Sequence, residues 1–442
     1  MRIELHRPPW LIIVCICLLF VSAFEAAADS TRLADLRGIW LASFNHDASR
    51  IVIATRNEEV RLWDAKKGTQ IAGDPALKKP AISFQMSPDA RRFLVEFKDG
   101  RARAFDASTG SAVSPPLDLA LRESENQRAT VFSPDGGTIM SFGEKEASIL
   151  EVKTGKRIAT VPVAIKEEGG WEPIATAIFA SGGARCFVMG PQITVTAYET
   201  KTWTPLGKPM SHPPAEMAYD FGFEASTDGK WLVTFDDTGE NGPKGQLQAW
   251  DATTNKPLGD PLSAVNGMSG RFLPGQDRLL VQSGRGDATV RDLPSMAIAY
   301  TIKMHDELDG PKVDVFPNGK WLLAWGPDKR TDLIDAATGA IVDTYISSAS
   351  LTSALLPADS SVFYLAFDNS AFSTEGYSDN YLLRFSVPKL TVTGSVRTVD
   401  GVLRQSISSD TRSVMILKGD TEHERIVVFD AVTLKPVEWS KP

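Results

Sequence analysis

The stretch Val60-Arg-Leu-Trp-Asp64 is the clearest of a set of short apolar runs that end in an acidic residue. Further copies read Ala104-Phe-Asp106, Gln248-Ala-Trp-Asp251, Leu333-Ile-Asp335 and Val428-Phe-Asp430. Short runs rich in β-branched and aromatic residues that end at turn residues are typical of β-strands. The pattern therefore predicts a chain built from repeated strands.

A tight-turn cluster lies upstream of each of these strands. Regular copies are Ser87-Pro-Asp89, Ser133-Pro-Asp-Gly136 and Ser226-Thr-Asp-Gly229, and looser ones are Pro317-Asn-Gly319 and Ser408-Ser-Asp410. Proline presets φ for the second position of a turn, aspartate and asparagine cap their own backbone, and glycine tolerates positive φ. Each cluster therefore predicts a chain reversal between two strands.

The spacing of the strand ends identifies a repeat. With less regular copies included, nine strands end at positions 64, 106, 151, 199, 251, 292, 335, 386 and 430. Successive ends are 41 to 52 residues apart. A unit of that length with four short strands cannot bury its own apolar face, so it has to pack against its neighbours.

Such units are typical of the four-stranded antiparallel blades of a β-propeller. The sequence predicts an all-β chain with one propeller and nine repeat units. The count leaves closure open between nine and eight blades, with seven as a third alternative. Because ring closure often combines both chain ends, Leu33 to Leu36 are expected to pair beside the strand near Val427 to Phe429.

The repeats resemble those of the WD40 family from about Leu33 to Pro436. The shared features are the Ser-Pro-Asp-Gly turn at 133–136 and the strand-final pairs Trp63-Asp64 and Trp250-Asp251. The resemblance implies a propeller that docks a peptide or another domain on its loops.

Two features set this chain apart within that resemblance. Leu206-Gly-Lys-Pro-Met210 and Leu258-Gly-Asp-Pro-Leu262 follow their blades' terminal acids and look like a bacterial variant of the repeat. The family's Gly-His dipeptide is missing. The resemblance therefore implies that the buried histidine-centred hydrogen-bond network of many members is absent here.

The amino terminus has the order of a secretory signal peptide. Arg2, His6 and Arg7 precede the apolar run 10–21, and Ala26-Ala-Ala28 follows it. The apolar run is short for a stable membrane span. We expect residues 1–28 to be removed by cleavage after Ala28 and residues 29–442 to form a secreted or periplasmic propeller. An uncleaved segment that stays as a membrane anchor is the alternative.

The charge balance argues against nucleic acid as a partner. The net charge is −8, and nucleic-acid binding requires a concentrated basic patch. The densest basic group, between Arg91 and Arg103, is spread over two predicted strands around a turn. Alternation along those strands predicts a solvated blade face.

No catalytic, cofactor-binding or metal-binding residues are predicted. The expected mature chain keeps His46, His212, His305 and His423, and none lies in a recognisable catalytic motif. Cys186 is its only cysteine, which fits packing in the core and leaves no cysteine pair for a metal. We expect the protein not to be an enzyme.

Two short motifs are explained by the repeat itself. Arg285-Gly-Asp287 matches a tripeptide that adhesion receptors recognise, but it lies in a hairpin turn that requires glycine and aspartate. The loop from Asp236 to Gly245 offers Asp236, Asp237 and Glu240 as oxygen donors for calcium. Their spacing is not that of an EF-hand, which favours a solvated hairpin tip.

The predicted function is that of an exported, monomeric scaffold that binds an unidentified protein partner. Trp171 and Trp203 lie near the connections between repeats and are the candidate surface anchors, because exposed aromatics are typical binding hot spots. The alternative is a quinoprotein-like propeller that binds a small ligand or cofactor in its central channel, with or without enzymatic activity. Phe105-Asp-Ala-Ser-Thr-Gly110 resembles that family, but the positions of its docking tryptophans are mostly aliphatic or proline here, and Trp439 comes one residue late.

Overall fold

A computed structural model of the protein shows a nine-bladed β-propeller. It describes residues 33, 36, 38–119, 130–143, 145–163, 176–190, 193–214, 220–237, 244–264, 267–283, 287–303, 312–325, 329–347, 350–368, 380–398, 402–408, 411–418 and 425–437. These residues form nine antiparallel sheets that follow one another along the chain. The predicted all-β fold of four-stranded units is confirmed.

We take the first strand of each blade as its innermost strand, because the first strands of blades 4 and 5, of blades 5 and 6, and of blades 8 and 9 contact one another. The first strands are β1 (Ile39–Phe44), β5 (Ala81–Met86), β9 (Thr130–Phe132), β13 (Ala177–Ala180), β18 (Asp220–Ala225), β23 (Met268–Phe272), β27 (Lys312–Val315), β31 (Ser350–Leu355) and β35 (Val402–Ile407). The second strands are β2 (Arg50–Thr55), β6 (Arg92–Phe97), β10 (Thr138–Phe142), β14 (Arg185–Gly190), β19 (Trp231–Asp237), β24 (Arg278–Ser283), β28 (Trp321–Trp325), β32 (Val362–Asp368) and β36 (Ser413–Lys418).

The third strands end at the nine positions predicted from the repeat. They are β3 (Val60–Asp64), β7 (Arg101–Asp106), β11 (Glu146–Glu151), β15 (Thr194–Glu199), β20 (Gly245–Asp251), β25 (Ala288–Asp292), β29 (Arg330–Asp335), β33 (Asn380–Ser386) and β37 (Arg425–Asp430). The outer strands are β4 (Gln70–Ile71), β8 (Leu117–Asp118), β12 (Arg157–Pro162), β16 (Thr204–Pro205) with β17 (Met210–Ser211), β21 (Lys256–Pro257) with β22 (Leu262–Ala264), β26 (Ala297–Ile302), β30 (Ile341–Ile346) and β34 (Thr391–Thr398). In blade 9, Phe429 forms a single bridge to Pro436.

The acid at the end of a third strand closes the next turn. Asp430 Oδ1 accepts the backbone N–H groups of Val432 and Thr433 at 3.1 and 2.8 Å. In blade 1, Asp64 Oδ1 accepts the corresponding N–H groups of Lys66 and Lys67 at 3.0 and 2.9 Å. The backbone N–H and hydroxyl of Thr433 hold the pKa of Asp430 below its ordinary value. The acid is therefore a turn residue, which is why it recurs with the repeat.

The core consists of nine apolar clusters, each formed by two successive blades. The cluster that closes the ring joins Ile51 and Trp63 of blade 1 to Met415 and Val428 of blade 9. In the described part of the chain every blade thus packs against two neighbours. Closure as nine blades is confirmed, and the alternatives of eight and seven are not observed.

The prediction that both chain ends share a blade is wrong. Val437 N donates to Val428 O at 2.8 Å, so the chain's own carboxy-terminal residues lie beside β37. Leu33 N donates instead to Gly68 O of blade 1 at 3.0 Å, and the side chains of Leu33 and Leu36 are buried in the closing cluster. Because the carboxy-terminal residues of blade 9 lie beside β37, the ring is closed by packing of side chains between blades 9 and 1 and not by a sheet that both chain ends share.

The outer strands are of two kinds. Blades 3, 6, 7 and 8 have a continuous outer strand of six or eight residues. In blades 4 and 5 the segments Leu206–Met210 and Leu258–Leu262 interrupt it, and Gly207 and Gly259 adopt φ values of +85° and +72°. In blade 2 the outer strand is also divided, since Phe105 bridges to Ala112 before β8 begins at Leu117.

The predicted signal peptide, residues 1–28, lies outside the described residues. Among the residues that the structure does describe, no helix combines the length and apolar character needed to span a bilayer.

Candidate functional site

Among the described residues, most of the large apolar side chains that are exposed lie on the continuous outer strands, and the two others are Ile82 of β5 and Val432 in the turn after β37. Ile298 of β26, Ile341, Val342 and Ile346 of β30, and Val392 of β34 are all exposed, with Ile346 at 73%. These strands belong to three consecutive blades, and we refer to the five residues as the outer rim of blades 6–8. A contiguous exposed apolar patch on a folded domain is typical of a contact site for another macromolecule, whereas single exposed apolar residues are ordinary.

Hydrogen bonds hold the outer rim of blades 6–8 together. Tyr300 of β26 donates from its hydroxyl to Ala336 O of blade 7 at 2.7 Å. Asp343 of β30 accepts Leu390 N of blade 8 at 2.8 Å, and the ring of Tyr345 packs on Phe385 with centroids 4.9 Å apart. These contacts link blades 6, 7 and 8 to one another near their outer strands.

The backbone of these strands adds a second binding element. A strand at the edge of a sheet presents alternate N–H and C=O groups outward, and a further strand can pair with them. Proline is among the features that prevent such pairing, and glycine weakens a strand. The divided outer segments of blades 4 and 5 contain both, and β34 contains Gly394, whereas β26 and β30 contain neither.

A row of charged residues lies on the innermost strands of blades 5–7. In every blade, one residue of the first strand pairs with the third residue of the second strand. From blade 1 to blade 9 these residues are Ser43, Gln85, Val131, Ile178, Glu224, Arg271, Asp314, Leu355 and Ser406. Three consecutive members, Glu224, Arg271 and Asp314, are charged. We call these three residues the inner row.

The inner row is linked from blade to blade. Glu224 Oε1 accepts Phe272 N of blade 6 at 3.0 Å, and Arg271 Nη1 lies 3.7 Å from Asp314 Oδ1. Trp325 Nε1 donates to Asp314 Oδ2 at 2.9 Å. Burial raises the pKa of Glu224, whereas the Phe272 N–H and the charge of Arg271 act in the opposite direction. Arg271 is the most exposed of the three, so it is the group best placed to meet a ligand.

The expected absence of a histidine-centred network is wrong for blade 5. His212 Nδ1 lies 2.8 Å from Thr234 Oγ1, which also accepts Trp250 Nε1 at 3.1 Å. Asp236 Oδ2 lies 3.5 Å from His212 Nε2, and both side chains are fully buried. A Ser-His dipeptide, Ser211-His212, takes the place of Gly-His, so the histidine was not recognised from sequence.

The same network corrects the interpretation of the loop that begins at Asp236. Asp236 is expected in a solvated hairpin tip, and this is wrong. Its carboxylate is buried and accepts Gln246 N at 2.5 Å. Glu240 lies outside the described residues, and the side chain of Asp237 is not among those described.

The predicted surface anchor Trp203 is buried. Its side chain packs in the cluster between blades 3 and 4, edge-on to Phe179 with ring centroids 6.3 Å apart. The connection after Glu199 turns back onto the blade, which places the ring inside, so its expected exposure is wrong. Trp171 lies outside the described residues. Binding of a partner near these connections stays a prediction.

Other residues singled out from the sequence have structural surroundings. Cys186 is buried in the same cluster, as predicted, and burial raises the pKa of its thiol. His46 Nε2 lies 3.3 Å from Arg91 Nη2 of the next blade. Asp287 of the Arg-Gly-Asp tripeptide forms an ion pair with Lys303. Arg285, His305 and His423 lie outside the described residues.

No protein-family model and no curated protein matches the chain. Among solved structures, it is similar to a eukaryotic initiation factor with a TM-score of 0.64 and 13% identity, over 88% of this chain and 94% of that one. It is also similar to the C-terminal WD40 domain of Sif2, with a TM-score of 0.50 and 12% identity over 90% and 97% of the two chains.

A third similar structure is the dihydro-heme d1 dehydrogenase NirN in complex with DHE, with a TM-score of 0.50 and 16% identity over 84% of this chain and 78% of that one. At these identities the likeness concerns the fold alone. It confirms that the chain has the fold of WD40-type propellers.

Proposed function

We propose that this protein is an exported, non-enzymatic propeller that binds a partner protein through the outer rim of blades 6–8. The observation that carries the proposal is the run of three adjacent outer strands with exposed Ile298, Ile341, Val342, Ile346 and Val392. The expected partner has an extended apolar segment at its surface, because such a segment can both pair with an edge strand and cover its side chains.

The chain supplies a matched control for this surface. Ile158 lies on the continuous outer strand of blade 3, and its exposure of 52% is close to that of Ile341 at 53%. The neighbouring blades 2 and 4 have interrupted outer strands, so Ile158 is not part of the outer rim of blades 6–8. The double variant Ile341→Lys/Ile346→Lys and the variant Ile158→Lys therefore separate a specific surface from general apolar exposure.

The test uses the full-length tagged protein in the cells that produce it. A photo-crosslinking residue at position 346 should yield a defined protein adduct, and the same residue at position 158 should not. The purified adduct partner should then bind the double variant at least about tenfold more weakly than the wild type, since burial of one isoleucine is worth about 1.5–3 kcal/mol. Equal binding by wild type and double variant, or equal adducts at both positions, would contradict the proposal.

Export is tested on the same material. Mass spectrometry of the mature amino terminus should identify Asp29 as the first residue. An intact terminus that starts at Met1 would favour the membrane-anchored alternative.

The inner row favours a second candidate function, which is binding of a small charged ligand in the channel. Half-exposed Arg271 lies between the carboxylates of Glu224 and Asp314 on the inner strands. Native mass spectrometry of the purified protein and of Arg271→Gln tests this candidate. A bound small molecule that is lost in the variant, together with absence of a rim adduct, would replace the platform proposal.

A further inference from the structure

Blade 6 departs from the repeat at one position of its third strand. In the eight other blades, the residue just before the end of that strand is aromatic or aliphatic and is buried. From blade 1 onward these residues are Trp63, Phe105, Leu150, Tyr198, Trp250, Ile334, Phe385 and Phe429. In blade 6 the same position is Arg291, next to Asp292. An arginine therefore stands where every other blade has a core residue.

The side chain of Arg291 lies on the face of blade 6 that packs against blade 5. The preceding residue, Val290, belongs to the cluster with blade 7, and successive residues of a strand point to opposite faces of the sheet. Leu279 pairs with Arg291 and belongs to the cluster with blade 5. The guanidinium therefore lies at the border of an apolar interface between two blades.

The charge of Arg291 is held in place but not neutralised. Nη1 donates to Met296 O, in the turn before β26, at 2.8 Å. Within the part of the chain that the structure describes, Nε is enclosed without a hydrogen-bond partner, whereas Nη2 is not enclosed. No carboxylate of the described residues forms an ion pair with Arg291, and burial lowers its pKa.

A second arginine provides a comparison within the same molecule. Arg384 of blade 8, two positions before the strand end, lies where the eight other blades have a buried apolar residue. Its Nη1 donates to Thr393 Oγ1 of β34 at 2.7 Å, and its Nε is also enclosed without a described partner. After the N–H and hydroxyl of Thr433, the charge of Arg384 also helps to lower the pKa of Asp430. Arg384 thus acts on a carboxylate, and Arg291 does not.

An uncompensated charge beside an apolar interface costs stability. A charge that leaves water needs a counter-charge and hydrogen bonds, and its replacement by an apolar residue often stabilises a protein. Positions where a chain breaks its own structural pattern are frequently functional sites. Arg291 therefore indicates that an external group supplies the missing negative charge.

The exposed neighbour of Arg291 is apolar. Ile298 of β26 pairs with Arg291, lies on the same face of the sheet and is 54% exposed. Because Nη1 bonds to Met296 O, the guanidinium extends from β25 toward the outer strand. β26 is the last strand of its sheet and contains no proline, glycine or charged residue. A positive charge, an apolar side chain and a strand edge therefore lie side by side.

We propose that Arg291 binds a carboxylate of the partner protein, and that the partner segment beside β26 is extended and has an aspartate or glutamate next to an apolar residue. The carboxylate meets the guanidinium at Nη2, and the apolar residue covers Ile298. This inference rests on the proposed function, because it names the chemistry of the partner at the blade 6 end of the outer rim of blades 6–8.

The test uses the full-length protein and two fluorescent peptides. One is Thr-Val-Thr-Glu-Val-Thr-Val, and the other has glutamine in place of glutamate. Fluorescence anisotropy should show saturable binding of the glutamate peptide, at least about tenfold tighter than binding of the glutamine peptide, because a hydrogen bond to a charged group can supply this difference. The preference should decrease as salt is added.

The variant Arg291→Leu gives blade 6 the residue type that blade 3 has in Leu150. It should bind the two peptides equally, and it should melt about 1–4 °C above the wild type because an uncompensated charge is removed. The control Arg384→Leu removes an equal charge and should keep the preference for glutamate. A lower melting temperature for Arg291→Leu would mean that the bond to Met296 O makes Arg291 a structural turn residue, and would overturn the proposal.

Three binding results would also overturn it. They are absence of saturable binding at millimolar peptide, equal affinity of the wild type for both peptides, and a preference that Arg291→Leu retains. The crosslinking experiment at position 346 tests the outer rim of blades 6–8 separately. An adduct there, together with equal peptide affinities, would leave the proposed function standing without the acidic contact. No adduct there, together with a preference that Arg291→Leu abolishes, would contradict the rim and leave Arg291 as a carboxylate site.

Discussion

Blades 6–8 and blade 1 each have three inner strands of the same arrangement, but they differ in the length of the outer strand. Blades 6–8 extend a full outer strand with isoleucine and valine side chains toward solvent, whereas the outer strand of blade 1 ends after two residues and is followed by a 3-10 helix, Pro75–Lys78, whose Ala76 and Leu77 pack on the core cluster between blades 1 and 2. The inner strands pack in clusters on both sides and hold the ring together. The outer strand is the part of a blade that can vary without opening the ring, so we place binding there.

The largest expected effect tests whether the inner strands are packed equally well in blades with an interrupted and with a continuous outer strand. Phe93 of blade 2 stacks on Phe105 with centroids 5.3 Å apart, and Phe363 of blade 8 stacks on Phe385 with centroids 5.1 Å apart. All four rings are fully buried, although blade 2 has an interrupted outer strand and blade 8 a continuous one.

Phe93→Ala and Phe363→Ala should each lower the free energy of unfolding by about 3–5 kcal/mol, because each leaves a cavity in the core. Urea unfolding measures both. A cost in one blade more than twice that in the other would show that the outer strand changes the inner packing, and the comparison between the two kinds of blade would break down.

A smaller effect is expected when blade 2 loses the large apolar side chain at the outer-strand position that is unpaired in blade 1. Leu117 is fully buried and pairs with Ala102, the counterpart of Val60. Leu117→Ala should lower the free energy of unfolding by about 2–4 kcal/mol, because it leaves a cavity in the cluster between blades 2 and 3. Hydrogen exchange should then show faster exchange around Ala102. Unchanged exchange at Ala102 would mean that the outer residue does not hold the half-strand in place.

The smallest effect concerns the inner row, where blade 5 has an acid and blade 3 has Val131 at the same place. Burial raises the pKa of Glu224 from its ordinary 4.5. A carboxyl that binds its proton more tightly in the folded chain makes that chain less stable as the pH rises from the ordinary pKa through the raised one.

Glu224→Gln removes this charge and keeps an oxygen that can accept Phe272 N. The variant should therefore melt slightly above the wild type at pH 7, and the difference should disappear below pH 4.5, where the wild-type carboxyl is protonated. Thermal melts at both pH values measure it. A lower melting temperature for the variant at pH 7 would mean that the attraction of Arg271 outweighs the cost of burial.

The candidate surfaces were less accessible from sequence than the fold. Ile341 and Ile346 look like ordinary strand residues, and only their place on a continuous outer strand makes them exposed. The place of Trp203 after a strand end predicts an exposed side chain, but the ring packs against Phe179 of the same blade. The inner row becomes visible in the sequence only after the first strands of all blades are aligned by register.

The sequence by itself determined the repeat, the strand ends and the number of units. Those features depend on contacts within about ten residues, such as Asp430 with the turn at Val432 and Thr433. Only the tertiary structure decided that nine units close by packing of Trp63 near Val428, and that His212 meets Thr234 and Trp250. It also decided that a 3-10 helix, Pro75–Lys78, follows the two-residue outer strand of blade 1. These features join residues that are far apart in the chain or depend on a neighbouring blade, and a local pattern contains no information on such contacts.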